Sequence, residues 1–382
     1  MISFQERVRG VILSAALGDA LGAVVEKLSY EEIKERYGRV ESLNTVWYKS
    51  DLPEESQGKE RGFGTVTDDT LMMLALIRVY LKEKRHLDAY DLGNEFMKEI
   101  AFRKTYIPEF RKEAPLIDRL FYPEKYLFTR HVLANCEPRE AGIGNMVNCG
   151  AAMYIAPIGV VNAGNPKGAY DEAILFALGH QNSYGLEAAG VLAACVAKAF
   201  EENAQAEDIV QTAITFAKDG TKQAIIDMAN AARSLKARNA DRDEVVKQLQ
   251  RVIAAYSPMR DDVKRSIDKT GLPSSHYTPS RLLSIEELPM ALAFILLNNG
   301  DYYSSIYDGI NSGRDTDSIG VMIGVILGAM HGDNVIRKED IEILERTNQL
   351  NLLNLSEAFI PTSMKIIKND IELNKKRENI MN

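Results

Sequence analysis

The chain has 382 residues, of which 46% are hydrophobic and 26% charged, ordinary globular usage with ample apolar material for one large domain or two of usual size. With 46 basic against 54 acidic side chains the net charge is −8, and no run of five or six Lys or Arg occurs, which argues against binding a nucleic-acid backbone. Cys136, Cys149 and Cys195 have neither metal-type nor redox spacing and fit a reducing compartment.

Taken in chain order, nearly every apolar segment has helical spacing. Residues 4–27 place Phe4, Val8, Val11, Ile12, Ala15 and Ala16 as a buried helix would. The Met1–Arg7 stretch lacks the basic region and apolar run of a signal peptide. Val40–Val46 is the best strand candidate, and it is short. A helix is expected over 68–83, then a polar, aromatic-rich stretch over 104–140 that reads as an insertion above one face. Helices follow over 150–161, 168–179, 185–203, 206–218, 221–237 and 241–255, with a second insertion over 256–284. The remaining helices are expected over 286–298, 302–312, 316–331 and 338–348, and 366–382 reads as a charged tail, a solvated helix or frayed end.

Gly18 and Gly22 in the first helix, and Gly320, Gly324 and Gly328 in a late one, repeat at a spacing of four and let helix backbones approach closely. The run Gly320–Met330 is strongly apolar but about half the length that spans a bilayer. The expectation is a cytoplasmic, all-α, single-domain protein over residues 1–365, without a membrane partner; its oligomeric state is not legible.

Two aspartate clusters carry the chemistry: Thr67-Asp68-Asp69-Thr70 and Gly313-Arg314-Asp315-Thr316-Asp317-Ser318. Each stands where a helix begins, so each alone could be no more than a cap. Four carboxylates converging on one pocket, however, must be protonated or neutralised by cations. Two divalent ions would do so, and oxygen-only ligation suits Mg²⁺ or Mn²⁺ rather than zinc or copper. A third element is Gly18-Asp19-Ala20-Leu21-Gly22. Asp19 interrupts a small-residue apolar helix, and Glu26, seven residues on, would share its face; Asp19 is expected behind the site and Glu26 at its mouth.

These pieces, with Asn148-Cys149-Gly150-Ala151-Ala152-Met153-Tyr154 and Gly179-His180-Gln181 between them, resemble the ADP-ribosylglycohydrolase family from about residue 7 to residue 332. The resemblance implies a roughly orthogonal helical bundle with a binuclear Mg²⁺ cleft, Mn²⁺ being the alternative ion. By matching positions the ligands would be Thr67, Asp68, Asp69, Asp315, Asp317 and Ser318, with Glu26, Asp69 and Asp315 serving catalysis. Asp19, Glu26, Asn148, Cys149, Gly150, Ala151, His180 and Arg314 would lie on the substrate side. The implied reaction is hydrolysis of an N- or O-glycosidic bond at ribose C1 of an ADP-ribosyl group, on a protein or a small riboside.

Three positions depart from the family pattern: Arg314 replaces a glycine, Ser318 a threonine, and Tyr154 an arginine. Arg314 and Tyr154 are expected to alter what lines the pocket. A hydrolase of a small ribosylated metabolite or nucleoside is therefore an alternative. Further rivals are a metal phosphohydrolase, disfavoured because no His falls inside either cluster, and a non-catalytic crystallin-like member, disfavoured by the intact aspartates. Glu286 and Glu287 read as helix-start residues with no catalytic role.

Overall fold

The computed structural model describes residues 2–256 and 285–381. All but the first residue of the 256–284 insertion therefore lies outside the described residues. The protein is all-α. Its principal helices are α1 (Phe4–Gly22), α2 (Tyr30–Tyr37) and α3 (Asp68–Glu83), then, after the 104–120 hairpin region, α4 (Tyr122–Phe128) and α5 (Ala156–Val161). There follow α6 (Pro166–Ala177), α7 (Ser183–Ala199), α8 (Ala206–Phe216), α9 (Asp219–Ala237) and α10 (Arg242–Ile253). The chain closes with α11 (Glu287–Leu297), α12 (Tyr302–Ile310), α13 (Thr316–His331), α14 (Lys338–Asn348) and α15 (Leu352–Met381). Helix α15 continues through the segment expected as a tail, although residues 371–381 are all exposed.

The strand expectation moves. Val46 forms only a single bridge with Gly62, and Val40–Val46 is no strand. The two-stranded sheet lies instead in the 104–140 stretch, where β1 (Lys104–Ile107) pairs antiparallel with β2 (Lys112–Pro115), Lys104 opposite Pro115 and Ile107 opposite Lys112. Four residues per strand, with a proline at the turn, carry too little alternation to be read from sequence.

Helices α1 and α13 form the centre. Both are buried along nearly their whole length, as helices apolar on all sides must be. Their glycines face each other: a Cβ on Gly18 would overlap the Gly320 carbonyl, one on Gly324 the Ser14 carbonyl, and one on Gly328 the Gly10 carbonyl. That backbone-to-backbone approach brings the start of α13 beside the end of α1. Arg7 is buried at the other end, donating from Nη1 to the carbonyls of Ala199 and Met330, both at 2.9 Å. Those carbonyls belong to the last turns of α7 and α13, where a cation is favoured.

Candidate active site

The two aspartate clusters meet. Ser318 Oγ donates to Asp69 Oδ1 at 3.0 Å, joining positions 249 residues apart. Neither cluster behaves as an ordinary cap: Thr67 and Asp315 occupy the N-cap positions of α3 and α13, yet neither side chain makes a capping bond to its own helix. The N-terminus of α3 is capped from elsewhere, by Asp19 of α1, whose Oδ2 accepts from Thr67 N at 2.9 Å and Thr70 N at 3.2 Å. Asp19 is fully buried, and through Oδ2 it supports the aspartate turn from behind. Helix α1 also ends at Gly22, so Glu26 lies on the turn beyond it and the shared helical face expected for Asp19 and Glu26 does not exist.

Glu26 nevertheless arrives at the cluster. Its carboxylate and those of Asp315 and Asp317 place oxygens within 4.8 Å of one another. A second triad, Cys149, Glu287 and Asp315, meets the same spacing. Cys149 Sγ stands 3.3 Å from Asp315 Oδ2 and 3.5 Å from Ser318 Oγ. Burial and the Asp315 charge push the Cys149 thiol up, so it is protonated and no thiolate nucleophile is at hand. Asp69 and Asp317 are likewise driven well above the usual carboxylate range, first by burial, then by neighbouring acids: Asp19, Asp68 and Asp315 for the former, Glu26 and Asp315 for the latter. Crowded acidic oxygens with two hydroxyls, Thr67 and Ser318, and without histidine, form a donor set that fits a hard divalent cation.

The cations already present are arginines that sequence reasoning missed. Arg61 Nη1 is 2.6 Å from Glu26 Oε2, and its Nε is 2.7 Å from Glu109 Oε1. Arg119, fully buried, pairs with Glu109 and stands 2.7 Å from Asp68 Oδ1. Burial alone would raise Glu109, but Arg119, Arg61 and Lys59 hold it at about 2. Glu109 and Arg119 lie in the stretch read as an insertion above a face. Its one usable signal was charged residues set among Leu116, Ile117, Leu120 and Phe121.

The remaining sequence candidates divide. Asn148 Oδ1 accepts from Gly150 N at 3.0 Å and Gln181 Nε2 at 2.7 Å, a locally closed turn. Gly150 packs closely there: a Cβ would have to displace the ends of the Asn148 and Glu124 side chains. Ala151 is buried in the core. His180 is fully buried and held neutral, its pKa pressed to about 3 by burial and then by His131. Its Nδ1 lies 2.8 Å from Tyr154 Oη, and the rings stack at 5.7 Å. Contrary to the expectation that it alters the pocket lining, Tyr154 is fully buried and packed between Phe96 and His180. Glu124, 3.8 Å from His180 Nε2, is raised to about 7 by burial and by Asp68.

Arg314 is not the surface partner that a simple cap would have. It is 4% exposed, its guanidinium is 2.6 Å from Glu286 Oε1, and its φ is +72°. That left-handed conformation follows Gly313 at φ +87° and explains why glycine suits the position. Glu286 and Glu287, given no role from sequence, are buried at the site, the first as the partner of Arg314 and the second beside Cys149 and Asp315.

The helical fold, with acids gathered at two helix starts around a central glycine-packed pair, is shared with a known class of hydrolase. The family model for ADP-ribosylglycohydrolase matches residues 1–364, and the chain belongs to the ADP-ribosylglycohydrolase family. It is 25% identical to the protein YegU of Escherichia coli over 93% of this chain and 96% of that one. It is 25% identical to human ADP-ribosylhydrolase ARH3 over 85% of each chain. Over a 94-residue segment, 25% of this chain and 28% of the relative, it is 37% identical to the ADP-ribosyl-[dinitrogen reductase] glycohydrolase of Rhodospirillum rubrum. A solved structure described as an ADP-ribosylglycohydrolase-related protein complex shares the fold, with a TM-score of 0.58 at 19% identity over 95% of this chain and all of that one. The chain is thus an enzyme of the ADP-ribosylglycohydrolase type. Among the described residues no helix is long and apolar enough to cross a membrane.

Proposed function

We propose that this enzyme hydrolyses the glycosidic bond at ribose C1 of an ADP-ribosyl group, with two Mg²⁺ ions, or Mn²⁺, held by Thr67, Asp68, Asp69, Asp315, Asp317 and Ser318. The observation that carries this reading is the convergence of Glu26 with Asp315 and Asp317, on the same side as the Ser318–Asp69 bond. When bound, such ions polarise ribose hydroxyls and lower the pKa of water. The protein's own part is positional. Glu26, oriented by Arg61 at 2.6 Å, accepts a proton from the water that attacks C1. The C1–N or C1–O bond breaks through an oxocarbenium-like transition state, the water oxygen remains on C1, and the leaving group takes up a proton. Cys149, protonated, takes no covalent part.

Calorimetric titration of ADP-ribose in Mg²⁺ and again in EDTA tests this. Binding in Mg²⁺ that EDTA abolishes, together with release of ADP-ribose from an ADP-ribosylated peptide, is the expected result. Metal uptake without ADP-ribose binding would transfer the reading to a smaller riboside.

A further inference from the structure

Outside Glu26 lies a small open cleft, about 90 Å³, whose walls include Lys27, Trp47, Lys49, Lys59, Arg61 and Phe121. Lys27, Lys49, Lys59 and Arg61 face two acidic lining residues, Glu26 and Glu55. The site is locally cationic on a chain of net charge −8.

Lys27 Nζ stands 3.8 Å from Glu26 Oε1, but Lys49 and Lys59 are not the counterions of the acids at the aspartate site. Arg61 and Arg119 serve that purpose, through Glu26, Glu109 and Asp68. Lys59 makes no ion pair within 4.0 Å among the described residues; its Nζ stands 4.5 Å from the centre of the Phe121 ring. The same ring has Lys27 Nζ at 5.4 Å and the Arg119 guanidinium at 5.1 Å. Lys49 reaches Glu55 only at 3.9 Å. Burial, and then Arg119 and Arg61, depress Lys59 to about 7, although Glu109 and Asp68 act in the opposite sense.

We propose that this cleft is an oxyanion site in which Lys49 and Lys59, with Lys27 beside them, seat a phosphate group of the substrate next to Glu26. The inference deepens the functional reading above and rests on it for the position of the scissile bond. Phosphate-bearing ribosyl compounds are then taken in preference to neutral ribosides. The phosphate has two possible sources, the diphosphate of the ADP-ribosyl unit or a phosphate carried by the leaving group.

The test is calorimetric titration of inorganic pyrophosphate into the full-length protein in EDTA, so that no metal contributes. Wild type is expected to bind one equivalent. Lys49→Gln with Lys59→Gln should weaken that binding by about tenfold or more, and Lys59→Arg alone should keep it. Circular dichroism checks that each variant is folded. No pyrophosphate binding, or equal binding by wild type and the double variant, overturns the proposal. Titration of ADP-ribose in Mg²⁺ then separates the sources. Loss of affinity in the double variant assigns the cleft to the ADP-ribosyl diphosphate, and unchanged affinity assigns it to a phosphate on the leaving group. Because the pyrophosphate arm needs neither metal nor ribose, its failure is distinct from failure of the glycohydrolase reading.

Discussion

At the scale of single residues, the site is a problem of buried charge. Asp68, Asp69, Asp315 and Asp317 are each at most 5% exposed; Arg119 pairs with Asp68, and Arg61 reaches the cluster through Glu26. Asp315 belongs to both triads, so Asp315→Asn should abolish Mg²⁺ or Mn²⁺ uptake in calorimetry and reduce turnover by about 10³-fold or more, with an unchanged far-UV spectrum. Undiminished turnover would remove the metal mechanism. Arg314 presents opposing effects. Its left-handed backbone costs about 1–2 kcal/mol that glycine would recover, but removing the guanidinium leaves the buried Glu286 uncompensated at about 3–5 kcal/mol. The second term is larger, so Arg314→Gly should destabilise the protein in denaturant titrations. Adding Glu286→Gln should restore most of the loss.

At the scale of elements, the α1–α13 contact sets the distance between the two halves of the site. A methyl at Gly18 must displace the backbone at Gly320, which no side-chain rotation relieves. Gly18→Ala should therefore cost about 3 kcal/mol or more, read as a lower denaturant midpoint, and should impair metal uptake because the start of α13 moves with it. Helix α15 is fastened differently: His86 Nε2 lies 2.9 Å from Asp370, while Nδ1 lies 2.5 Å from Glu172. Burial would lower His86, yet Glu172 and Asp370 raise it to about 9. A folded pKa above the unfolded value of 6.5 means that the stabilisation is complete below about pH 6.5 and is lost as pH rises through about 9. Melting temperature should fall between pH 7 and pH 10, and His86→Gln should flatten part of that slope.

At the scale of the whole molecule, the proposed metal binding would be linked to folding, since Asp69 and Ser318 come together only in the native state. Mg²⁺ at a hundred times its dissociation constant should add about 2.7 kcal/mol to stability, visible as a raised melting temperature that EDTA reverses. An unchanged melting temperature in both buffers would mean that the clustered acids hold no ion. The helical composition and both aspartate clusters were legible in the chain, because helical periodicity and helix-start chemistry are local: α13 and α14 occupy the expected residues 316–331 and 338–348. What only the tertiary structure decided is which charges answer which. Asp19 caps a helix 48 residues away, Ser318 reaches Asp69 across 249, and Arg61 and Arg119 enter from loops without periodic pattern. Local sequence records where a chain turns and which face it buries. The partner of a buried charge is set by packing between segments remote in sequence, and no spacing along the chain encodes it.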